Sequence, residues 1–115
     1  MVEKLYEVYM YTPMGTKSGL LLIQQEGICL SGWLDILMDK EPIVGTIDEE
    51  GNCQIKGVFI TLLNLVHFTA TGRITDSQID LTMEDEEKRH FQMSGNRLNK
   101  NFFERKNENY GKGMD

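Results

Sequence analysis

The feature that most constrains this chain is a series of eight short β-rich runs separated by turn residues, with almost no helical periodicity. Every connection between the runs is only a few residues long. Short connections force neighbouring strands to run antiparallel, because a parallel pair needs a long crossover. The predicted strands span about residues 4–12, 17–24, 28–37, 43–48, 53–62, 65–75, 78–84 and 89–96.

A weak internal recurrence supports a meander of similar hairpins. The stretch from Glu26 to Gly32 resembles the stretch from Glu50 to Gly57, and each contains a turn followed by a β-rich run. Eight strands added edge to edge can close on themselves and so remove both exposed edges. The predicted fold class is therefore all-β, an eight-stranded antiparallel up-and-down barrel. A two-sheet β-sandwich is the alternative.

The charge distribution divides the 115 residues into two parts. Residues 1–96 hold 7 basic and 15 acidic side chains, a net charge of −8, and form the predicted barrel domain. Residues 97–115 carry a net charge of +2 and form the predicted polar tail, with a helical turn or two near Phe102 and Phe103 and disorder beyond about Lys106.

Composition narrows the classes of function. An acidic body repels phosphate backbones, so nucleic acid is not an expected partner. No run approaches the roughly 20 apolar residues of a membrane helix, and the N-terminus has no secretory leader pattern, so we expect a cytoplasmic protein without a membrane partner. Cys29 and Cys53 are too few for a disulfide framework.

Alternation of apolar residues along the strands predicts the face that lines the interior. These residues are Ile28, Leu30, Leu34, Ile36, Ile43, Ile47, Ile55, Phe59, Val66, Phe68, Ala70, Ile74, Ile79, Leu81, Met83, Phe91 and Met93. Five glycines share this parity: Gly32, Gly45, Gly57, Gly72 and Gly95. An inward glycine lets a strand coil sharply, and it also leaves volume that a ligand could fill. Both interpretations stay open at this point.

The glycines and the adaptable methionines together define a candidate pocket for a small apolar or aromatic ligand. The candidate ligand-binding residues are Tyr6, Met10, Gly57, Phe59, Phe68, Gly72, Met83 and Met93.

The opposite face is not uniformly polar, because the runs LLLI and VFITLL lose their alternation. A monomer would leave this apolar surface in water, which is unusual for a soluble domain. A second subunit or the tail could cover it. The candidate interface residues are Leu21, Ile23, Trp33, Val58, Ile60 and Leu62.

No catalytic, phosphate-binding or metal-binding spacing occurs in the sequence, so no cofactor, metal ion or catalytic residue is predicted. Only His67 and His90 are present, and both are expected on the outer surface. The acidic stretch Asp48–Asn52 lacks the ligand pattern of a calcium loop and is better explained as a hairpin turn.

Two short stretches carry a family resemblance: residues 11–19 (YTPMGTKSG) and 68–72 (FTATG). They resemble small bacterial domains described as lipocalin-like barrels. The resemblance covers about residues 5–95 and implies a calycin-type barrel, similar to lipocalins and streptavidin. Lipocalins place Gly-x-Trp on the first strand, whereas this chain has Gly32-Trp33 on the third. The lipocalin ligand pocket therefore does not transfer to this chain.

Three functional hypotheses follow from these patterns. The leading one is a non-enzymatic barrel that binds a small apolar or aromatic ligand, as a homo-oligomer. The alternative is a self-associating protein-interaction module with a filled core. The third, an enzyme that uses a pocket tyrosine or His67 for proton transfer, has no residue spacing to support it.

Overall fold

A computed structural model describes residues 2–98 and confirms the predicted all-β barrel. The eight strands form a single closed sheet in which each strand pairs antiparallel with the next along the chain. The strands are β1 (Val2–Thr12), β2 (Gly15–Glu26), β3 (Cys29–Ile36), β4 (Asp39–Ile47), β5 (Asn52–Ile60), β6 (Leu65–Ile74), β7 (Gln78–Asp85) and β8 (His90–Arg97).

Pairing between the first and last strands closes the barrel. Strand β1 pairs with β8 from Tyr6 opposite Arg97 to Tyr11 opposite Gln92. Closure leaves no open sheet edge along this seam, which is how small up-and-down barrels avoid edge-to-edge aggregation. The sandwich alternative is therefore excluded by the sheet topology.

The up-and-down order places the hairpin turns at two ends of the barrel. The end that carries the turns β1–β2, β3–β4, β5–β6 and β7–β8 is called the upper end below. The other three turns lie at the lower end. Among these, the β4–β5 turn is fixed by Asp48, whose Oδ1 accepts hydrogen bonds of 2.9 Å from the backbone N–H groups of Glu50 and Asn52. A self-satisfied turn thus explains the acidic stretch without an ion.

Apolar side chains of alternate residues fill the interior, largely as the period of two predicts. Tyr6 is also fully buried, and its hydroxyl donates a 2.7 Å hydrogen bond to the carbonyl oxygen of Thr75. Burial, opposed in part by Arg97, raises the pKa of Tyr6 to about 12. Its phenol is therefore neutral and serves the core.

The predicted orientation of strand β2 is wrong. Leu21 and Ile23 face the interior and are each only 2% exposed, while Leu20 and Leu22 lie on the outer surface. Four consecutive apolar residues carry no alternation, so the pairs that Leu21 makes with Tyr6 and Leu34 decide the orientation. Leu21 and Ile23 cannot form an outer interface in this barrel.

Two predictions at strand ends are also wrong. Ile28 was expected inside, but it lies in the β2–β3 turn and is mostly exposed. Strand β4 was expected to start near residue 43, but it starts at Asp39. The β3–β4 connection is only Leu37 and Met38, which both have positive φ, as a two-residue primed hairpin turn requires. Such turns are usually made by Asn and Gly, so these residues gave no turn signal.

The predicted boundary of the tail falls at the end of the last strand. Arg97 was assigned to the tail, but it is the final residue of β8. Most of the predicted tail, including Phe102 and Phe103, lies outside the described residues.

Candidate functional site

The candidate ligand-binding side chains fill the interior rather than lining an open pocket. Tyr6, Met10, Phe59, Phe68, Met83 and Met93 are all buried in one hydrophobic cluster. The cavity inside this cluster measures only about 10 Å³, and of these residues only Phe68, Met83 and Met93 line it. That volume is about enough for one water molecule. The interior of residues 2–98 therefore works as a packed core in this structure.

The inward glycines are explained by close approach between strands. A methyl group at Gly72 would overlap the backbone carbonyl oxygen of Asp80, and one at Gly32 would overlap that of Leu22. Gly57 differs, because the space next to it is taken by side chains: a Cβ there would lie 2.9 Å from Phe68 Cζ and from Ile43 Cγ2. These contacts favour strand coiling over vacant volume as the reason for the glycines.

At the upper end, the hairpin of β5 and β6 continues beyond its last pairs with both neighbouring strands. The ladder between β4 and β5 ends at the pair Ile43–Gly57, and the ladder between β6 and β7 ends at Phe68–Asp85. Beyond this row, residues 58–67 pair only with each other among the described residues. This two-stranded segment is called the ribbon below.

Local sequence explains why the ribbon separates from both neighbours. Pro42, which has no backbone N–H to donate, directly precedes the last pair with β5. On the other side, β7 ends at Asp85, whose Oδ1 accepts 2.9 Å hydrogen bonds from the N–H groups of Glu87 and Arg89 and so starts a turn. Glu86 in this turn accepts a 3.2 Å hydrogen bond from the N–H of His67, which ties the turn to the ribbon.

The tip of the ribbon exposes large apolar side chains. Leu62 and Leu63 are 103% and 89% exposed, and Ile60 and Leu65 are also exposed. The turn itself is well formed, because Thr61 Oγ1 accepts hydrogen bonds from the N–H groups of Leu63 and Asn64. Adjacent exposed leucines on an ordered turn form an apolar patch, which is a common mark of an interaction site.

A groove of about 760 Å³ lies on the outer side of the wall where the ribbon leaves the barrel. Its floor includes the row Ile43, Gly57, Phe68 and Asp85, at which the two flanking ladders end. The walls are formed by Pro42, Val44, Lys56, Val58, His67, Thr69, Glu84, Glu86 and Lys88. The groove therefore combines apolar side chains with charges of both signs.

The remaining candidate interface residues lie on the outer surface as predicted, but in two places. Val58, Ile60 and Leu62 belong to the ribbon, and Val58 also lines the groove. Trp33 pairs with Pro42 on the outer face of β3 and β4, and Lys40 Nζ lies 4.2 Å from the centre of its ring. This cation–π contact covers part of Trp33 within the chain itself.

Sequence reasoning missed Leu63 and Leu65 as exposed apolar residues. A signal was present: residues 57–72 form a run of sixteen residues without a Lys, Arg, Asp or Glu, in a chain where 26% of residues are charged. Neither its exposure nor its projection from the barrel can be derived from composition.

An acidic pair faces inward at the upper end of β4. Asp39 and Glu41 share the parity of the buried Ile43, and Asp39 Oδ2 is buried without a hydrogen-bond partner among residues 2–98. Interaction with the neighbouring carboxylate of Asp39 raises the pKa of Glu41, and desolvation acts in the same direction. A proton on Glu41 would give the buried oxygen of Asp39 a donor.

Glu41→Gln is expected to raise the free energy of unfolding at pH 7 and to flatten its pH dependence. The pKa of Glu41 is higher in the folded than in the unfolded state. Its protonated carboxyl therefore contributes fully to the free energy of unfolding below the unfolded pKa, and this contribution is lost as the pH rises through the folded pKa. Glutamine keeps a donor for Asp39 without the charge. Urea unfolding at pH 5 and pH 7 measures the effect. Glu49→Gln, in the exposed turn at the lower end, is the charge-matched control. Destabilisation by Glu41→Gln at pH 7 would contradict a protonated Glu41 that donates to Asp39.

The other groups with potential reactivity do not converge on one site. His90 Nε2 lies 3.3 Å from Glu84, while His67 lines the groove without a second histidine. Burial raises the pKa of the Cys53 thiol to about 11, and Cys29 is exposed at the start of β3. Within residues 2–98, no three His, Cys, Asp or Glu side chains are grouped so that they could hold a metal ion. The same part of the chain contains no helix capable of crossing a membrane.

Comparison with known proteins supports the fold and goes no further. No family model and no curated protein matches the sequence. Among solved structures, a redesigned β-barrel is similar with a TM-score of 0.62 and 13% sequence identity, and the match covers 84% of this chain and 90% of that one. At this identity the likeness shows the barrel fold alone.

Proposed function

We propose that this protein is a non-enzymatic, self-associating interaction module, in which a filled barrel supports the projecting ribbon. The observation that carries the proposal is the pair of fully exposed leucines, Leu62 and Leu63, on an ordered turn beyond the last ladder pairs. A packed barrel is a rigid support, since close-packed interiors resist deformation. The proposal selects the filled-core alternative over an internal ligand because the enclosed cavity is only about 10 Å³.

The relationship to lipocalin-like domains remains a prediction. It agrees with an eight-stranded meander, but it supplies no ligand pocket for this chain. The proposal therefore depends on the ribbon and its apolar tip alone.

Sedimentation velocity of the untagged protein tests the proposal. The wild type is expected to form a dimer or a larger assembly, and the double variant Leu62→Asp with Leu63→Asp is expected to be monomeric. Burying a leucine contributes about 1.5–3 kcal/mol, so losing two should weaken association by about a hundredfold or more.

Met38→Asp is the matched control, because Met38 is a fully exposed apolar residue on a neighbouring turn of the same end. It should leave the assembled mass unchanged. A wild type that stays monomeric at high protein concentration would overturn the proposal. If Met38→Asp dissociates the assembly to the same extent, the interface involves the upper end as a whole and not the ribbon alone.

A further inference from the structure

The groove and the ribbon tip are close to each other along the same hairpin. The groove lies where the ribbon leaves the wall, and Val58 and His67 belong to both features. The tip, around Leu62 and Leu63, lies a few residues further along the same ribbon. Each copy therefore carries one exposed apolar tip and one recess at the base of the same hairpin.

The groove has a chemistry that an uncharged apolar segment would match. Pro42, Val44 and Val58 supply apolar surface beside charged side chains of both signs. The groove has a volume of about 760 Å³ and is open to solvent. The carboxylate of Asp85 in its floor is already occupied, since Arg89 Nε donates to Oδ2 at 2.9 Å.

The net negative charge of the chain favours an uncharged segment, such as the ribbon tip, as the part of a second copy that enters the groove. The whole chain has a net charge of −6, so two copies repel each other unless their contact avoids like charges. Residues 57–72 contain no Lys, Arg, Asp or Glu, and the tip lies inside this run. The walls of the groove bring Lys56 and Lys88 beside Glu84 and Glu86, so they present no strong field of one sign.

We propose that the ribbon tip of one copy binds in the groove of a second copy, and that the ribbon tip of the second copy binds in the groove of the first. The inference rests on the proposed self-association and specifies its geometry. An interface that uses the same surface on both partners closes as a two-fold dimer. Reciprocal insertion buries Leu62 and Leu63 of each copy against Val44 and Val58 of the other. The contact of Glu86 with the N–H of His67 ties the base of the ribbon to the β7–β8 turn.

Cross-linking between two variants that each carry one introduced, exposed cysteine tests the geometry, with the native Cys53 buried in the core. Leu62→Cys and Val44→Cys are each made in a Cys29→Ser background, which removes the exposed native thiol. One variant is labelled with ¹⁵N, the two are mixed, and mild oxidation is followed by mass spectrometry of the intact covalent dimers. We expect the mixed dimer, linked between residues 62 and 44, to exceed either self-linked dimer at least fivefold.

A pair of surface variants provides a readout that does not depend on thiol geometry. Val44→Asp in the groove is expected to lower the dimer affinity at least tenfold in sedimentation. Thr46→Asp, two residues along the outer face of β4 and outside the groove, is expected to leave it unchanged. Both positions are exposed, so the variants should fold.

The outcomes separate this inference from the proposed function. If the wild type is dimeric but the cysteine variants cross-link mainly from residue 62 to residue 62, the reciprocal insertion is overturned and self-association stays intact. A wild type that is monomeric in sedimentation would overturn both. Flotation of the monomer with phosphatidylcholine vesicles, abolished by Leu62→Asp with Leu63→Asp, would assign the tip to a membrane surface and also overturn the inference.

Discussion

Gly72→Ala is expected to lower the free energy of unfolding by about 3 kcal/mol or more, which is a large part of the stability of a small domain. The φ angle of Gly72 is +155°, in a region that side-chain-bearing residues rarely adopt. A methyl group there would also overlap the carbonyl oxygen of Asp80. Gly72 pairs with Cys53 on one side and Leu81 on the other, so neither neighbouring strand can move without breaking its own ladder.

Equilibrium unfolding in urea, followed by circular dichroism, measures this loss. Gly27→Ala is the matched control, because Gly27 also has a positive φ of +62° but has nothing within 4 Å of an added Cβ. It should cost only about 1–2 kcal/mol, the penalty for the left-handed conformation alone. Equal losses in the two variants would show that β6 and β7 do not approach each other as closely as the structure has them.

The strand sequence and the inner face were predictable wherever apolar and polar residues alternate. Strands β5 and β7 show this well: Cys53 and Ile55 alternate with exposed polar neighbours, as do Ile79 and Leu81. A period of two specifies the register of such strands, since a slip by one residue would expose the whole apolar set. The barrel topology followed because the short turns left few other ways to join eight strands.

Strand β2 shows where that reasoning stops. In the run Leu20-Leu21-Leu22-Ile23 either parity buries two large apolar residues, so the sequence of this strand alone cannot choose between them. Pairing with β1 and β3 makes the choice and places Leu20 and Leu22 outside. The outer apolar surface predicted for β2 thus exists, but different side chains form it.

The ribbon could not be predicted, because it depends on a difference in length between strands distant along the chain. The β5–β6 hairpin continues to Ile60 and Leu65, whereas β7 stops at Asp85. Local sequence predicts each strand but not where a neighbour stops pairing with it. The candidate interface residues Val58, Ile60 and Leu62 were identified from their apolar run, without the projection that makes them accessible.

Phe68→Ala is expected to destabilise the barrel by about 3–5 kcal/mol, because it would leave a cavity at the base of the ribbon. Phe68 is buried, and its ring lies 5.9 Å, centre to centre, from that of Phe59. It also occupies the space that Gly57 leaves free. Gly57→Ala alone should therefore cost about 1–3 kcal/mol by overpacking, since the new methyl would lie 2.9 Å from Phe68 Cζ.

The double variant distinguishes a filled interior from an open one. Once the Phe68 ring is removed, the methyl at position 57 keeps only its close contact with Ile43 Cγ2. The double variant should therefore be more stable than the two single losses predict by about 1 kcal/mol or more. Gly57→Ala with Ile79→Ala, a buried position on a strand that β5 does not pair with, is the control cycle and should be additive within about 0.5 kcal/mol. Urea unfolding of all six proteins gives both cycles. Additivity in the Phe68 cycle would mean that the ring does not fill the space beside Gly57. The interior would then be more open than the structure has it. Binding of an internal ligand would again be a better hypothesis than self-association through the ribbon.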